Sequence, residues 1–449
     1  MALVIWLAVC LAASILWRNR PLELNLAALV IWTIIPGVAS SLITGNQSSS
    51  LGMHPGTWLV LTTFFTQIVT RPIEMAATLV RRGLFFLAIG LVAAVAILET
   101  KTGTSGHGVV LLTDEMLAPV LSFWMISTAL VSRPEDIRTL RNCVIVLATL
   151  EALWAIAQYF ASEPILFASQ YEHQYWYRPG FDRWMGTTDH PLVLAVLLAS
   201  SVPLLTGLRR VWLQVLLSVV MIGGVVITQS RSGLVAAGIG AIFVVWMSRT
   251  SVARKLAGTV VLAGSALAIA LSSLSSGISE RVANDGGSAL ARGTAVDFFL
   301  AHWRDYLWTG GGINTSYAVS SEAGLKSSFE SAFLMYSIDI GMLFATIYFV
   351  AQLALVIVNL RISVPGAALA ALIVLVLCQT FSSIEVACMV GPLLWVLLAL
   401  ATYPDVRPAP PSEAEDRAPT RSADRGRPIH PPRVGTPRTV QRRPVTAAS

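Results

Sequence analysis

Charged residues are scarce in this sequence of 449 residues: they make up 12% of it, while hydrophobic residues make up 55%. A soluble domain carries about 25% charged residues, which cover its aqueous surface. The composition therefore excludes a cytosolic enzyme and a secreted domain. With a mean hydropathy of +0.69, the sequence predicts a protein that crosses a membrane many times.

Cysteine, a common metal ligand, is also rare. The four cysteines all lie within apolar segments and lack the spacing of ligands or of a disulfide framework; they are Cys10, Cys143, Cys378 and Cys388. The sequence contains no HExxH, no D-x-D pair, no P-loop and no Rossmann fingerprint. It therefore predicts neither a metal site nor a cofactor, and it does not support ATP hydrolysis or nicotinamide chemistry.

The net charge of +6 matters less than where the charge lies. Nine of the 31 Lys and Arg residues fall in the last 45 positions, and most of the others flank apolar runs. This pattern predicts no nucleic-acid partner. The tail, residues 404–449, is rich in Pro, Arg, Ser and Thr. We expect it to be disordered, and its basic character can hold it against anionic lipid headgroups.

Apolar stretches of membrane-spanning length recur along the chain. A helix needs about 20 apolar residues to cross the bilayer, and 12 or 13 stretches approach that length. The first, residues 2–17, lacks a basic N-terminal region and a small-residue cleavage site, which indicates a retained span. The predicted fold is an all-α bundle of transmembrane helices with two long loops. Its parts are N-terminal spans at 1–162, a loop at 163–190, central spans at 191–274, a large loop at 275–330, C-terminal spans at 331–403 and the tail at 404–449.

Lys and Arg accumulate on the cytoplasmic side of membrane proteins, so the loops can be assigned to two faces. One set of short loops carries 14 Lys and Arg residues besides those of the tail, and we place this set inside. The opposite set, which includes both long loops, carries eight. Because the unusual residues lie almost entirely in the long loops, the working face is predicted to be extracytoplasmic.

Residues 211–248 form one apolar stretch that is interrupted only by Gln229-Ser230-Arg231-Ser232-Gly233. A single helix of this length would reach about 57 Å, well beyond a bilayer core of about 30 Å. The chain must therefore fold back at Arg231, which is predicted to lie at the outer mouth of a helical hairpin. There it either snorkels to the interface or binds an anion at the rim of a cavity.

The first long loop combines many aromatic residues with Arg178 and Arg183. Aromatic rings are typical of membrane interfaces and also stack on sugars, so they do not decide between these roles. The loop ends in Asp189 and His190 before Pro191, a pattern that starts a helix. This helix start is predicted to bind an anion, or else Asp189 only caps it.

The second long loop predicts an amphipathic helix lying at the membrane surface, with Asp297, Arg304 and Asp305 on its polar side. The apolar residues at helical spacing are Val296, Phe299, Leu300, Trp303 and Leu307. Arg292 projects within about 20° of Phe299 and so shares the apolar side. An arginine there needs an anion or a carboxylate as partner.

Two acidic residues follow this helix. Glu330 stands three residues after Ser327, as in a capping box, where it would only satisfy a backbone donor. Asp339 lies about 13 Å below the predicted start of the next helix. An acid at that depth is costly, so Asp339 is either paired with an arginine or functional.

The order of these landmarks resembles the O-antigen ligase and O-antigen polymerase superfamily. The resemblance spans roughly residues 175–345, and it rests on motifs in a fixed order: Gly186-x-x-x-x-Pro191, Ser230-Arg231-Ser232-Gly233, Arg292 leading to Trp303, Gly310-Gly311-Gly312 and Asp339-Ile340-Gly341. Ligases that attach O-antigen to the lipid A core usually present a His where this chain has Glu330, whereas polymerase-like members often carry Glu. The resemblance therefore favours a polysaccharide polymerase.

The family implies a metal-independent, inverting glycosyltransferase of the multi-spanning GT-C type in the bacterial plasma membrane. Its donor would be a glycan on undecaprenyl pyrophosphate, and its acceptor would be another glycan. Membrane lipids would surround it, and a chain-length regulator is a further partner that a polymerase could have.

The same resemblance suggests roles for residues. Arg231 and Arg292 would neutralise the departing diphosphate, since guanidinium groups bind phosphate oxygens bidentately. Glu330 would accept the proton of the attacking hydroxyl as general base. The predicted assisting residues are Arg178 and Arg183 for the diphosphate, Asp189 and His190 as reserve bases, and Asp339 in the substrate site.

Two other classes of function stay open at this stage. A flippase would move a lipid-linked oligosaccharide without chemistry, but transporters usually show paired repeats and broken helices, and no such halves are visible here. A membrane scaffold without catalysis is the third alternative.

Overall fold

The structure is a computed structural model. It describes residues 1–45, 51–102, 106–172, 174, 177, 183–247, 251–270, 286–325, 328–382, 384 and 386–404. Arg178, Ser327 and the tail beyond residue 404 lie outside the described residues. The described residues are mainly helical and contain no strand, so the predicted all-α polytopic fold is confirmed.

The helices are numbered in chain order. Those of the first half are α1 Ala2–Leu16, α2 Pro21–Ile34, α3 Gly37–Thr44, α4 Pro55–Thr70, α5 Pro72–Arg81, α6 Gly83–Thr102, α7 Gly106–Leu111, α8 Ala118–Ser132, α9 Ile137–Ala161, α10 Ala168–Tyr171 and α11 Pro191–Ser201. Those of the second half are α12 Val211–Ile227, α13 Arg231–Met247, α14 Val252–Ala270, α15 Gly286–His302, α16 Thr315–Glu322, α17 Ala332–Ile340, α18 Met342–Asn359, α19 Ala367–Leu377 and α20 Val390–Thr402.

Few of the helices reach full spanning length. By length and composition, four helical segments of the described residues can cross a membrane: Gly83–Thr102, His107–Ser132, Pro134–Ala161 and Met342–Asn359. A fifth span results if α2 and α3, bent by 112°, count as one. Six shorter apolar helical segments accompany them, so the number of 12 or 13 spans stays a prediction.

Three central helices show which helix ends lie together. Gly233 of α13 lies against Ala195 of α11, and Gly240 lies against Pro203 after α11, so these two helices run parallel. Gly366, just before α19, also lies against Pro203, so α19 runs in the opposite direction. The starts of α11 and α13 and the end of α19 therefore lie at one end of the bundle, here called the site end.

The second long loop packs on the site end through a small apolar cluster. Ala295 and Phe299 of α15 are buried with Phe329 and with Met335 of α17. A helix is therefore present where the amphipathic helix was predicted, but its bounds and its buried face differ. It ends at His302, so Trp303 and Leu307 lie beyond it, and Val296 and Leu300 are exposed rather than buried.

Helices α17 and α18 follow each other directly along the chain. They are separated by Gly341, whose φ of 91° favours glycine. The amides that follow the break bond to the chain after α15, because Met342 N donates to Tyr306 O at 2.7 Å and Leu343 N donates to Leu307 O at 3.1 Å. The interruption thus anchors the large loop to the bundle.

Two adjacent acids, Asp114 and Glu115, are buried in the bundle. Asp114 and Glu115 lie in a π-helical turn, Leu112–Leu117, and each is 1% exposed. Asp114 accepts a hydrogen bond from His54 N at 3.1 Å, and Glu115 accepts one from Cys388 N at 2.9 Å. Backbone donors from distant segments therefore make the burial of these acids tolerable.

Candidate active site

The hairpin predicted at Arg231 is confirmed, since α12 ends at Ile227 and α13 begins at Arg231. Gln229 turns the chain with a left-handed φ of 53°. Ser230 Oγ accepts a hydrogen bond from Gly233 N at 3.1 Å, as an N-cap does. These short polar residues set Arg231 at the first position of α13, where the helix dipole also favours an anion.

Arg183 is buried against the same turn. Its Nε donates to Thr228 O at 2.9 Å, and the neighbouring Trp184 N donates to Ile227 O at 3.4 Å. Carbonyl groups at a helix C-terminus attract a cation, so this contact is electrostatically favourable. The end of the first long loop is thereby fixed to the turn that carries Arg231.

Asp189 and His190 occupy different positions from those expected. His190 Nδ1 accepts from Leu192 N at 3.1 Å, so the histidine itself caps α11. Asp189 instead accepts from Val38 N at 3.4 Å and from Gly37 N, at the start of α3. The alternative that Asp189 caps α11 is therefore wrong. Burial raises the pKa of the Asp189 carboxyl to about 7, although the backbone bonds act in the opposite direction.

Arg292 and Glu330, predicted separately, form an ion pair with 2.7 Å between Nε and Oε2. The guanidinium also donates to Thr380 O at 3.4 Å. The two side chains are 47% and 24% exposed, so the pair is open to solvent rather than sealed in the core. Arg292 therefore has a carboxylate partner, one of the two partners expected, but its side chain is exposed rather than on the buried side of its helix.

Glu330 lies outside the helix that follows it. Helix α17 begins at Ala332 with Ser331 as its N-cap, whereas the glutamate of a capping box stands at the third helical position. The capping-box alternative is therefore wrong. Glu330 has a φ of 49°, which a residue with a Cβ rarely adopts. Such conformations persist where the surroundings fix them, often at functional sites.

Asp339 accepts hydrogen bonds from the backbone of the loop that precedes α17. Its carboxylate accepts from Ser316 N at 2.6 Å and from Asn314 N at 3.0 Å, at the start of α16. Its carbonyl accepts from Gly312 N at 2.8 Å, so the triple-glycine segment lies directly against it. Backbone N–H groups therefore compensate the buried carboxylate. The sequence had led us to expect either an arginine partner or a functional role for Asp339.

The predicted residues form three groups around the site end. Arg292 and Glu330 contact each other and reach the end of α19 through Thr380. Arg231 and Arg183 share the hairpin turn at the start of α13. Asp189 and His190 lie at the start of α11, while Asp339 holds the glycine segment. The described residues contain no group of three or more His, Cys, Asp or Glu suited to a metal ion.

Sequence reasoning missed the segment between α19 and α20. It assigned residues 331–403 to C-terminal spans, but α19 ends at Leu377 and α20 begins only at Val390. Gln379 and Thr380 in this segment contact the residues around Glu330 and Arg292. The polar run Gln379-Thr380 within an apolar stretch was the available signal.

These features define a polytopic helical membrane protein that presents arginines and a paired glutamate at one end of its bundle. The family model of O-antigen ligase matches residues 216–349, and this confirms the resemblance to the O-antigen ligase and polymerase superfamily. No curated protein matches the chain. The matched range contains Arg231, Arg292, Glu330 and Asp339, while Arg178, Arg183, Asp189 and His190 precede it. The family indicates glycosyl transfer that uses a lipid-linked glycan and an acceptor.

Proposed function

We propose that this protein polymerises glycans carried on undecaprenyl pyrophosphate, at the extracytoplasmic face of the bacterial plasma membrane. The observation that carries the proposal is the Arg292–Glu330 ion pair, because it joins a phosphate-binding cation to a potential base at the site end. The family match supports the general class of reaction. The bias of Lys and Arg toward the opposite loops supports the orientation, with the tail in the cytoplasm.

The reaction transfers the glycan by one displacement. The acceptor hydroxyl oxygen attacks the anomeric carbon, and the bond between that carbon and the diphosphate oxygen breaks with its electron pair going to the diphosphate. The hydroxyl proton passes to the Glu330 carboxylate. Attack from the side opposite the leaving group inverts the anomeric centre.

The leaving diphosphate gains negative charge as its bond breaks, so preorganised cations accelerate the step. Arg292 and Arg231 supply these cations, and their guanidinium groups take the role that a metal ion has in other phosphate-handling sites. In the structure Arg292 donates to Glu330. The arriving diphosphate competes for Arg292 and leaves Glu330 available to the acceptor hydroxyl.

Arg183 is assigned a supporting role. It holds the hairpin turn through Thr228, which sets the position of Arg231.

Glu330 is the preferred general base over Asp189 and His190. Asp189 is buried and His190 Nδ1 accepts from Leu192 N, whereas the Glu330 side chain is 24% exposed and can reach an acceptor hydroxyl.

The decisive experiment uses purified protein in detergent with a synthetic undecaprenyl-pyrophosphate oligosaccharide as the only glycan, and mass spectrometry of the product. We expect new glycosidic bonds and free undecaprenyl pyrophosphate, with activity retained in EDTA. Arg231→Ala, Arg292→Ala and Glu330→Gln should each abolish the product. Arg304→Ala is the matched control, since Arg304 lies beside Trp303 and away from the ion pair.

The outcomes separate the candidate functions. Polymer from the lipid-linked glycan alone supports a polymerase, whereas product that forms only with an added lipid core supports a ligase. A folded wild-type protein that makes no glycosidic bond with either acceptor rejects the enzyme, as a flippase or a scaffold would behave. Full activity of all three site variants rejects the assigned residues.

A further inference from the structure

Helix α17, which follows Glu330, is held at its start by a residue from another helix end. Gln379 Oε1 accepts from Phe333 N at 2.9 Å and from Ser331 Oγ at 3.1 Å. Its Nε2 donates to Leu375 O at 3.2 Å, which fixes the amide on the last turn of α19. The first amides of a helix have no partner within it, so Gln379 supplies one from outside.

The backbone next to Gln379 continues this contact. Cys378 O accepts from Ala332 N at 3.0 Å. Ser331, the N-cap of α17, makes no side-chain capping bond to its own helix, because its hydroxyl is directed to Gln379. Two consecutive residues after α19 therefore fix the first turn of α17.

The contacts of Gln379 affect Glu330 because Glu330 has an unusual backbone conformation. The residue directly precedes Ser331 and has a φ of 49°, a conformation that relaxes unless the surroundings hold it. Thr380, next to Gln379, accepts from Arg292 at 3.4 Å. Neighbouring residues of one segment thus contact both sides of the ion pair.

We propose that Gln379 is a positioning residue that holds Glu330 in place for proton transfer, through its hydrogen bonds to Ser331 and Phe333. This role rests on the function proposed above. It assigns a task to a residue that touches neither the donor nor the reacting atoms.

The test compares Gln379→Met, which removes the acceptor oxygen at similar volume, with Gln379→Glu, which keeps acceptor oxygens. The matched control is Gln214→Met. Gln214 makes a comparable amide-to-backbone bond, to Leu208 O at 2.8 Å, at the opposite end of the bundle. Each variant is purified, checked for monodispersity and thermal unfolding, and assayed with the synthetic lipid-linked oligosaccharide over a range of pH.

We expect Gln379→Met to lower kcat by about 10- to 100-fold, as misplacement of a catalytic group does, with the KM for the donor little changed. Gln379→Glu should recover part of kcat, because it restores an acceptor for Ser331 and Phe333 but not the donor to Leu375 O. Its added negative charge near the site should move the acidic limb of the pH profile to higher pH. Gln214→Met should match the wild type in all of these.

Three results would overturn the role of Gln379: an unchanged kcat in Gln379→Met, an equal loss in Gln379→Met and Gln379→Glu, or a raised KM with unchanged kcat. An unchanged pH profile in an active Gln379→Glu would do the same. If wild type and Gln214→Met also form no glycosidic bond, the proposed function itself fails. The two failures are therefore distinguishable.

Discussion

Glu330→Gln should separate catalysis from stability. The substitution keeps the size of the side chain but removes its charge and its basicity. The ion pair that it breaks is partly exposed, with side chains 47% and 24% accessible, and an ion pair of this kind contributes about 0–1 kcal/mol to stability. General-base catalysis contributes about 100- to 10,000-fold in rate. We therefore expect a thermal unfolding midpoint close to that of the wild type and a large loss of kcat.

The assay is product formation per amount of folded protein, with thermal unfolding measured on the same preparation. Arg292→Ala and the double variant Arg292→Ala/Glu330→Gln extend it. Because the two residues serve one transition state, the losses should be far from additive. A variant Glu330→Gln that unfolds many degrees lower but retains normal kcat would show that the pair is a structural link, and would refute the assigned catalysis.

Three further outcomes follow from the geometry of the site end. Asp339→Ala leaves the buried Ser316 amide and the partly buried Asn314 amide without their acceptor. It should lower the free energy of unfolding by about 1–3 kcal/mol or somewhat more, measured by denaturation. Normal stability with lost activity would instead indicate a substrate contact. The wild type should lose stability as pH rises from the ordinary Asp pKa of about 3.9 to the raised Asp189 pKa of about 7, because the folded state retains the proton over that range. Asp189→Asn should remove this loss. The same pH dependence of the unfolding midpoint in wild type and Asp189→Asn would contradict this. Arg183→Ala should lower activity by disturbing the hairpin turn that carries Arg231. Arg183→Lys should not restore the activity, because an ammonium cannot reproduce the position of Nε. Full activity of Arg183→Ala would show that the turn does not depend on Arg183.

Features set by chain length and local pattern were predictable from the sequence. The hairpin at Arg231 follows from an apolar stretch too long for one bilayer crossing, and its turn residues are short and polar. The helical angle between Arg292 and Phe299 correctly indicated that this arginine needs a partner. Apolar stretch length and helical periodicity therefore identified Arg231 and Arg292 as candidate site residues.

The identity of the partners was not predictable in the same way. Glu330 is 38 positions from Arg292, and no local pattern fixes such a pairing. Ser327 and Glu330 matched a capping box by spacing, but the helix begins two residues after Glu330, and helix starts are uncertain by that amount from sequence alone. Asp339 was expected to be paired with an arginine or functional, because backbone amides 23 and 25 positions away, those of Ser316 and Asn314, cannot be recognised as its partners in a linear sequence.

The Arg292–Glu330 ion pair predicts an effect on binding that differs from its effect on rate. Glu330 accepts from Arg292 Nε, so a diphosphate that binds Arg292 as proposed competes with the carboxylate. Removing the charge of the Glu330 carboxylate abolishes this competition. The ion pair contributes about 0–1 kcal/mol of stabilisation, which the diphosphate no longer has to overcome. Glu330→Gln should therefore bind undecaprenyl pyrophosphate more tightly, by up to about 5-fold, while Arg292→Ala binds it more weakly.

Direct binding of undecaprenyl pyrophosphate to the purified variants, for example by titration calorimetry in detergent, measures this without turnover. Arg304→Ala again serves as the control for a general change of surface charge. If Glu330→Gln bound the lipid diphosphate more weakly than the wild type, the carboxylate would be assisting the anion rather than competing with it. The proposed step in which the diphosphate displaces Glu330 from Arg292 would then be wrong.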